Sequence, residues 1–175
     1  MVRAKKPFFH SEELKLWEKR TIYTYLTITI ALSLWYLTTD FGTRKGILLF
    51  YGVITQLGLY FALYTSLRNF NSYSIWCGFG FFHLLVYFIF KDDPSLQMPR
   101  AHASSLLRNT IVLLFLFQLL RYISVKLQHR EFVAPAHGGG KDLFENKAVT
   151  FIDFVIFMIY IGAFAALVYL SLDQP

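Results

Sequence analysis

The chain has 175 residues, of which 55% are hydrophobic, 19% aromatic and only 16% charged, with a mean hydropathy of +0.45. That balance excludes a water-soluble monomer and predicts an all-α, polytopic helical membrane protein. The net charge of +6 does not point to nucleic acid, because the basic residues flank apolar segments instead of gathering on one polar face.

Residues 1–20 form an N-terminal arm. It carries Glu12, Glu13 and Glu18 and has no short apolar run ending in a small-residue cleavage site, so it reads as neither a signal nor a transit peptide. Ser11-Glu12-Glu13 ahead of Leu14, Leu16 and Trp17 predicts a short capped helix with acids at the positive end of its dipole. Flanked by Phe8-Phe9 and Lys19-Arg20, that helix is expected to lie on the inner membrane surface.

Residues 21–38, 47–67 and 73–90 contain no Asp, Glu, Lys or Arg. Each is long enough at about 1.5 Å per residue to cross a hydrocarbon core of roughly 30 Å. The connections 39–46 and 68–72 are too short for domains and predict a tight antiparallel meander. Residues 151–171 form another span, whose single acid, Asp153, sits within a turn of its start, where water or a base can reach it. The segment 105–125 is ambiguous, because its uncharged run 109–120 is bracketed by Arg108 and Arg121. It either spans with snorkelling arginines or lies in the interface.

Basic residues favour five spans. With the N-terminus inside, 12 of the 17 Lys and Arg fall on the inner side, and Arg44, Lys45, Lys91, Arg100 and Arg108 fall outside. An interfacial 105–125 would reverse the bias to 7 inside and 10 outside, against the positive-inside rule. The expected topology is therefore N-terminus cytoplasmic and C-terminus external, with residues 21–175 as one transmembrane domain. Within it, the cytoplasmic loop 126–150 contains Pro135 and Gly138-Gly139-Gly140 and reads as a flexible hinge, with Leu143 and Phe144 against lipid or a partner. The glycines are not a phosphate loop: Lys141 is followed by Asp142 instead of Ser or Thr, and no strand precedes them. Cys77 is the only cysteine, which rules out an intrachain disulfide.

Polar side chains at membrane depth are costly and so mark either packing or function. If spans two and three form a hairpin about 68–72, Gln56 and His83 lie level near the bilayer midplane, and a hydrogen bond between them is geometrically allowed provided that both face the hairpin seam. Tyr60 then falls opposite Gly80. Haem ligation by His83 would need a second intramembrane histidine, and there is none. A neutral packing role, or a proton or quinone role, is left for it. Arg121, with Gln118 one turn before it, and Asp153 are expected to pair across the inner loop. Gly58 with Ala62 and Gly162 with Ala166 are spaced for close helix approach.

No HExxH, GxSxG or CxxC motif and no inverted repeat of broken helices is present. The expectation is a non-catalytic accessory or assembly subunit of a larger machine in a bacterial cytoplasmic membrane, serving protein export, the envelope or respiration. Other integral membrane subunits and membrane lipids are its expected partners; catalytic, cofactor and metal residues are expected to be none. The alternative is a small integral-membrane enzyme or carrier for a lipid or quinone. The candidate intramembrane contacts are Gln56, His83, Gln118, Arg121 and Asp153.

Overall fold

The computed structural model describes residues 8, 10–99, 101–135, 141–145 and 147–172. Phe9, Arg100, the glycine triplet at 138–140 and the tail 173–175 lie outside the described residues, so the expected hinge at the triplet does too.

Five long helices succeed one another: α1 (Leu16–Thr38), α2 (Phe41–Phe61), α3 (Phe70–Phe90), α4 (Asn109–Gln128) and α5 (Phe151–Leu172). Side-chain pairs show that successive helices reverse direction. Tyr25 meets Thr55 while Thr29 meets Tyr51, and Asn109 meets Ser171 while Gln128 meets Asp153. Among the described residues three helical stretches are long and apolar enough to cross a membrane: Phe70–Phe90, Ala103–Gln128 and Phe151–Leu172. The second is the ambiguous segment, extended by a 3-10 helix at Ala103–Arg108, and it is the most deeply packed of the three. The helices α1 and α2 match them in length but are less apolar. Threonines and tyrosines dilute α1, and Arg44, Lys45 and Gln56 dilute α2.

The separate surface helix expected in the arm does not form. The arm residues are committed elsewhere: Ser11 Oγ donates to Asn71 Oδ1 at 2.6 Å, and Glu12 exchanges hydrogen bonds with the Asn69 side chain. The helix begins where Glu18 can cap it, Oε2 accepting the Lys15 N–H at 2.7 Å, and then runs unbroken into α1. The other Glu18 oxygen accepts from Ser66 Oγ, tying the start of α1 to the turn between α2 and α3. Asp40 caps α2 through the Thr43 N–H, so this helix starts six residues before the expected 47 and ends at Phe61. A 3-10 helix at Ser66–Arg68 comes next, and Asn69 caps α3. Beyond α3, Asp93 and Pro94 make a turn, leading to a two-stranded hairpin of β1 (Gln97–Met98) and β2 (Ala101–His102).

The core gathers where α2, α3, α4 and α5 meet, around Tyr60, Tyr64, Leu114, Phe117, Ile156 and Tyr160. The loop after α4 contributes to it. Phe132, Val133 and Ala134 are buried, with Phe132 stacked on Tyr60 at 6.0 Å and edge-on to Phe117 at 5.1 Å. Tyr60 therefore faces Tyr160 and Phe132, and the expected contact with Gly80 is not made. Gly80 instead admits α4: an added Cβ there would lie 3.0 Å from Leu114 and 3.1 Å from Ile111. The glycines at 58 and 162, expected at close contacts, have nothing within 4 Å of such a Cβ. In α1 and α5, by contrast, many large apolar side chains face outward, among them Leu34, Trp35, Leu37, Phe151, Met158 and Tyr169.

Candidate functional site

Two polar clusters stand out, one at mid-bundle and one at the end where the 129–150 loop packs. In the first, His83 of α3 is fully buried and both of its ring nitrogens are engaged. Nδ1 lies 2.9 Å from Thr110 Oγ1 of α4, and Nε2 lies 3.0 Å from both Tyr25 Oη of α1 and Tyr51 Oη of α2. Tyr25 Oη is also 3.0 Å from Thr55 Oγ1, and Tyr51 Oη is 2.7 Å from Thr29 Oγ1. The two threonines give their own hydrogens to the backbone carbonyls of Tyr51 and Tyr25. One assignment satisfies every donor: Tyr25 to Thr55, Tyr51 to Thr29, Thr110 to Nδ1, and the ring proton on Nε2 shared by the two phenol oxygens. A neutral histidine thus joins four helices through hydroxyls alone.

The hydrogen bond that the hairpin allows between Gln56 and His83 is not formed. Gln56 Nε2 donates to the Leu106 carbonyl at 2.6 Å, because the 3-10 segment before α4 packs against α2 and turns toward it a carbonyl that also accepts the Asn109 N–H. Gln56 Oε1 and the nearby Tyr60 Oη are buried with no partner among the described residues, each at a cost of about 1–3 kcal/mol. Beside His83 lies an apolar cavity of about 200 Å³, walled in part by Thr29, Tyr36, Tyr51 and Leu107.

At the loop end, Arg121 is 1% exposed and saturated. Its Nε and Nη2 grip Glu131 at 2.8 and 2.7 Å, Nη2 also donates to the Phe8 carbonyl, and Nη1 reaches Gln118 Oε1 at 3.2 Å. The Phe8 ring lies 4.3 Å from the guanidinium carbon. Gln118 is therefore beside Arg121 as its spacing predicts, with its Nε2 on the Leu67 carbonyl. Asp153 is not the partner of Arg121. It is fully buried, paired with Arg130, and accepts from Gln128 Nε2 and from the backbone N–H of Thr150 and Val133. Thr150 and Asp153 make a reciprocal cap at the start of α5, Thr150 Oγ1 accepting the Asp153 N–H.

The exchange of partners has a local cause. His129 closes α4 in the left-handed conformation, φ 55°, and the reversal sends its two successors opposite ways, Arg130 to Asp153 and Glu131 to Arg121. The only sequence cue was that two opposite charges stand side by side directly after a helix end.

The loop is fastened further along. Arg68 donates to Glu145 at 2.8 Å and to the Phe132 carbonyl at 2.7 Å. Asp142 accepts from Tyr64 Oη at 2.6 Å and from the N–H groups of Glu145 and Lys147. Burial alone would raise the Asp142 carboxyl, but those three donors outweigh it and hold the group below its ordinary range. Glu145 is likewise lowered: burial opposes this, and Arg68 and Lys147 more than compensate. Leu143 and Phe144 are exposed, and the Phe144 ring stacks on Tyr64 at 5.7 Å. Among the described residues no three His, Cys, Asp or Glu side chains converge as metal ligands.

No family model, curated protein or solved structure matches the chain.

Proposed function

We propose that this is a non-catalytic accessory or assembly subunit of a larger complex in a bacterial cytoplasmic membrane. In this reading all five helices cross the bilayer, with the N-terminal arm cytoplasmic and the C-terminus external. The observation that carries it is the saturation of His83. A histidine with both nitrogens bonded inside the bundle and no exposed surface has no free site for a substrate proton, and its bonds hold four helices in register. The Arg121 and Asp153 clusters are spent in the same way on internal partners. What the molecule turns outward is apolar, on α1 and α5 above all, and surfaces of that kind suit neighbouring transmembrane helices and lipid.

The apolar cavity touching His83 and Tyr51 favours a second reading, a carrier or small enzyme for a lipid or quinone. The test is purification of the tagged protein in mild detergent with mass spectrometry of the co-eluting material. The subunit reading expects larger membrane proteins in fixed stoichiometry, and His83→Ala should lower the yield of that assembly. Elution alone with bound quinone, together with a His83→Ala protein that assembles normally but loses the quinone, would overturn the reading.

A further inference from the structure

The helix α1 is buckled to the bundle by hydroxyls at Tyr25 and Thr29, and an apolar groove opens along its α2 side. Ile28 and Leu32 of α1, Phe50, Ile54 and Gly58 of α2, and Ala62 just after it line a space of about 500 Å³ that Trp76 also borders. A second space of about 490 Å³ adjoins it at Thr21, Ala62 and Leu63 and opens toward Lys15 and Trp17. From Arg20 to Leu32 the groove runs roughly 18 Å along the helix, a little more than half of a hydrocarbon core of roughly 30 Å, which is the depth of one leaflet. Gly58 makes the slot, since an added Cβ there meets nothing within 4 Å. A helix is roughly 10–12 Å across with its side chains and would sit above such a slot, whereas a methylene chain enters it.

Charge at the mouth selects the headgroup. Arg20 and Lys15 line the polar end, and neither side chain has an ion-pair partner among the described residues. The carboxylate there, Glu145, is already bonded to Arg68 and Lys147. The Trp17 indole stands at the same level, where such rings settle at the membrane interface.

We propose that this groove binds one anionic glycerophospholipid, with its phosphate on Arg20 and Lys15 and one acyl chain along Ile28, Leu32, Ile54 and Gly58. The site rests on α1 and α2 crossing the bilayer and is independent of the subunit role.

The experiment is native mass spectrometry of the whole purified chain titrated with dioleoyl phosphatidylglycerol or dioleoyl phosphatidylcholine. One bound phosphatidylglycerol is expected, preferred about fivefold, the effect of roughly one basic residue at a membrane surface. Arg20→Gln should remove most of that preference. Gly58→Leu should reduce retention of both lipids without lowering the melting temperature, because Leu favours the helix where Gly does not. Equal retention of the two lipids by the unaltered protein, or undiminished phosphatidylglycerol in Gly58→Leu, would overturn the site. Crossing of the bilayer by α1 and α2 is read separately, by residue labelling, so failure of the lipid site and failure of the topology are distinguishable.

Discussion

At the scale of single residues, an arginine at 1% exposure is tolerable only because each face of its guanidinium has a counterpart. Glu131 supplies the charge in a two-pronged grip, Gln118 and the Phe8 carbonyl take further donors, and the Phe8 ring covers the plane. Removing one partner of such a pair strands the other in a poorly solvated place. Arg121→Met should therefore cost about 2–3 kcal/mol, below the range for fully buried pairs because Glu131 keeps some solvent contact. Adding Glu131→Gln should recover part of that loss. The check is a double-mutant cycle of unfolding in detergent, and strictly additive losses would show that the two residues do not act as a pair.

Among the elements, the segment after α4 behaves less like a linker than like a plug. Its residues 132–134 enter the core, and the Arg68 and Tyr64 side chains fasten the stretch around Asp142 and Glu145. This predicts a definite pH response. Asp142 and Glu145 titrate below their ordinary values when folded, so they stabilise the loop fully above the unfolded carboxylate range near 4. That contribution is lost as pH falls through the lowered folded values. Melting in detergent at pH 7, 4 and 3 should show the loss at the acid end, while Asp142→Asn should begin lower at pH 7 and fall less. Trypsin cleavage at Lys141 and Lys147 should rise in the variant at neutral pH. An unchanged acid response in the variant would mean that another group governs it.

For the whole molecule, the alternating direction of the helices puts the 39–43 turn and the hairpin strands Gln97–Met98 and Ala101–His102 at one end and the 62–69 turn with the described residues of the 129–150 loop at the other. With Cys77 replaced by Ala, single cysteines at Thr43 and Lys126 should be labelled by an impermeant thiol reagent from opposite sides of the membrane, Lys126 from the cytoplasmic side. Labelling of both from one side would leave only α3, α4 and α5 as crossings. That outcome would remove the setting of the α1–α2 groove.

The helical class and the approximate places of the helices were legible in the sequence, because length and apolar content are sums over neighbouring residues. So was the Gln118–Arg121 contact, which is one helical turn. Pairings between distant segments were not legible. A hairpin count set Gln56 level with His83 but knew nothing of the 3-10 carbonyl at Leu106 or of the hydroxyls that Tyr25 and Tyr51 bring from the same side. The sequence reading likewise joined Arg121 to Asp153, because a loop read as a flexible hinge gave no reason for Arg130 and Glu131 to turn inward. Local sums determine what a segment becomes. Which buried polar atom meets which is decided by rotation of each helix about its axis and by where loops re-enter, and these depend on every neighbour at once.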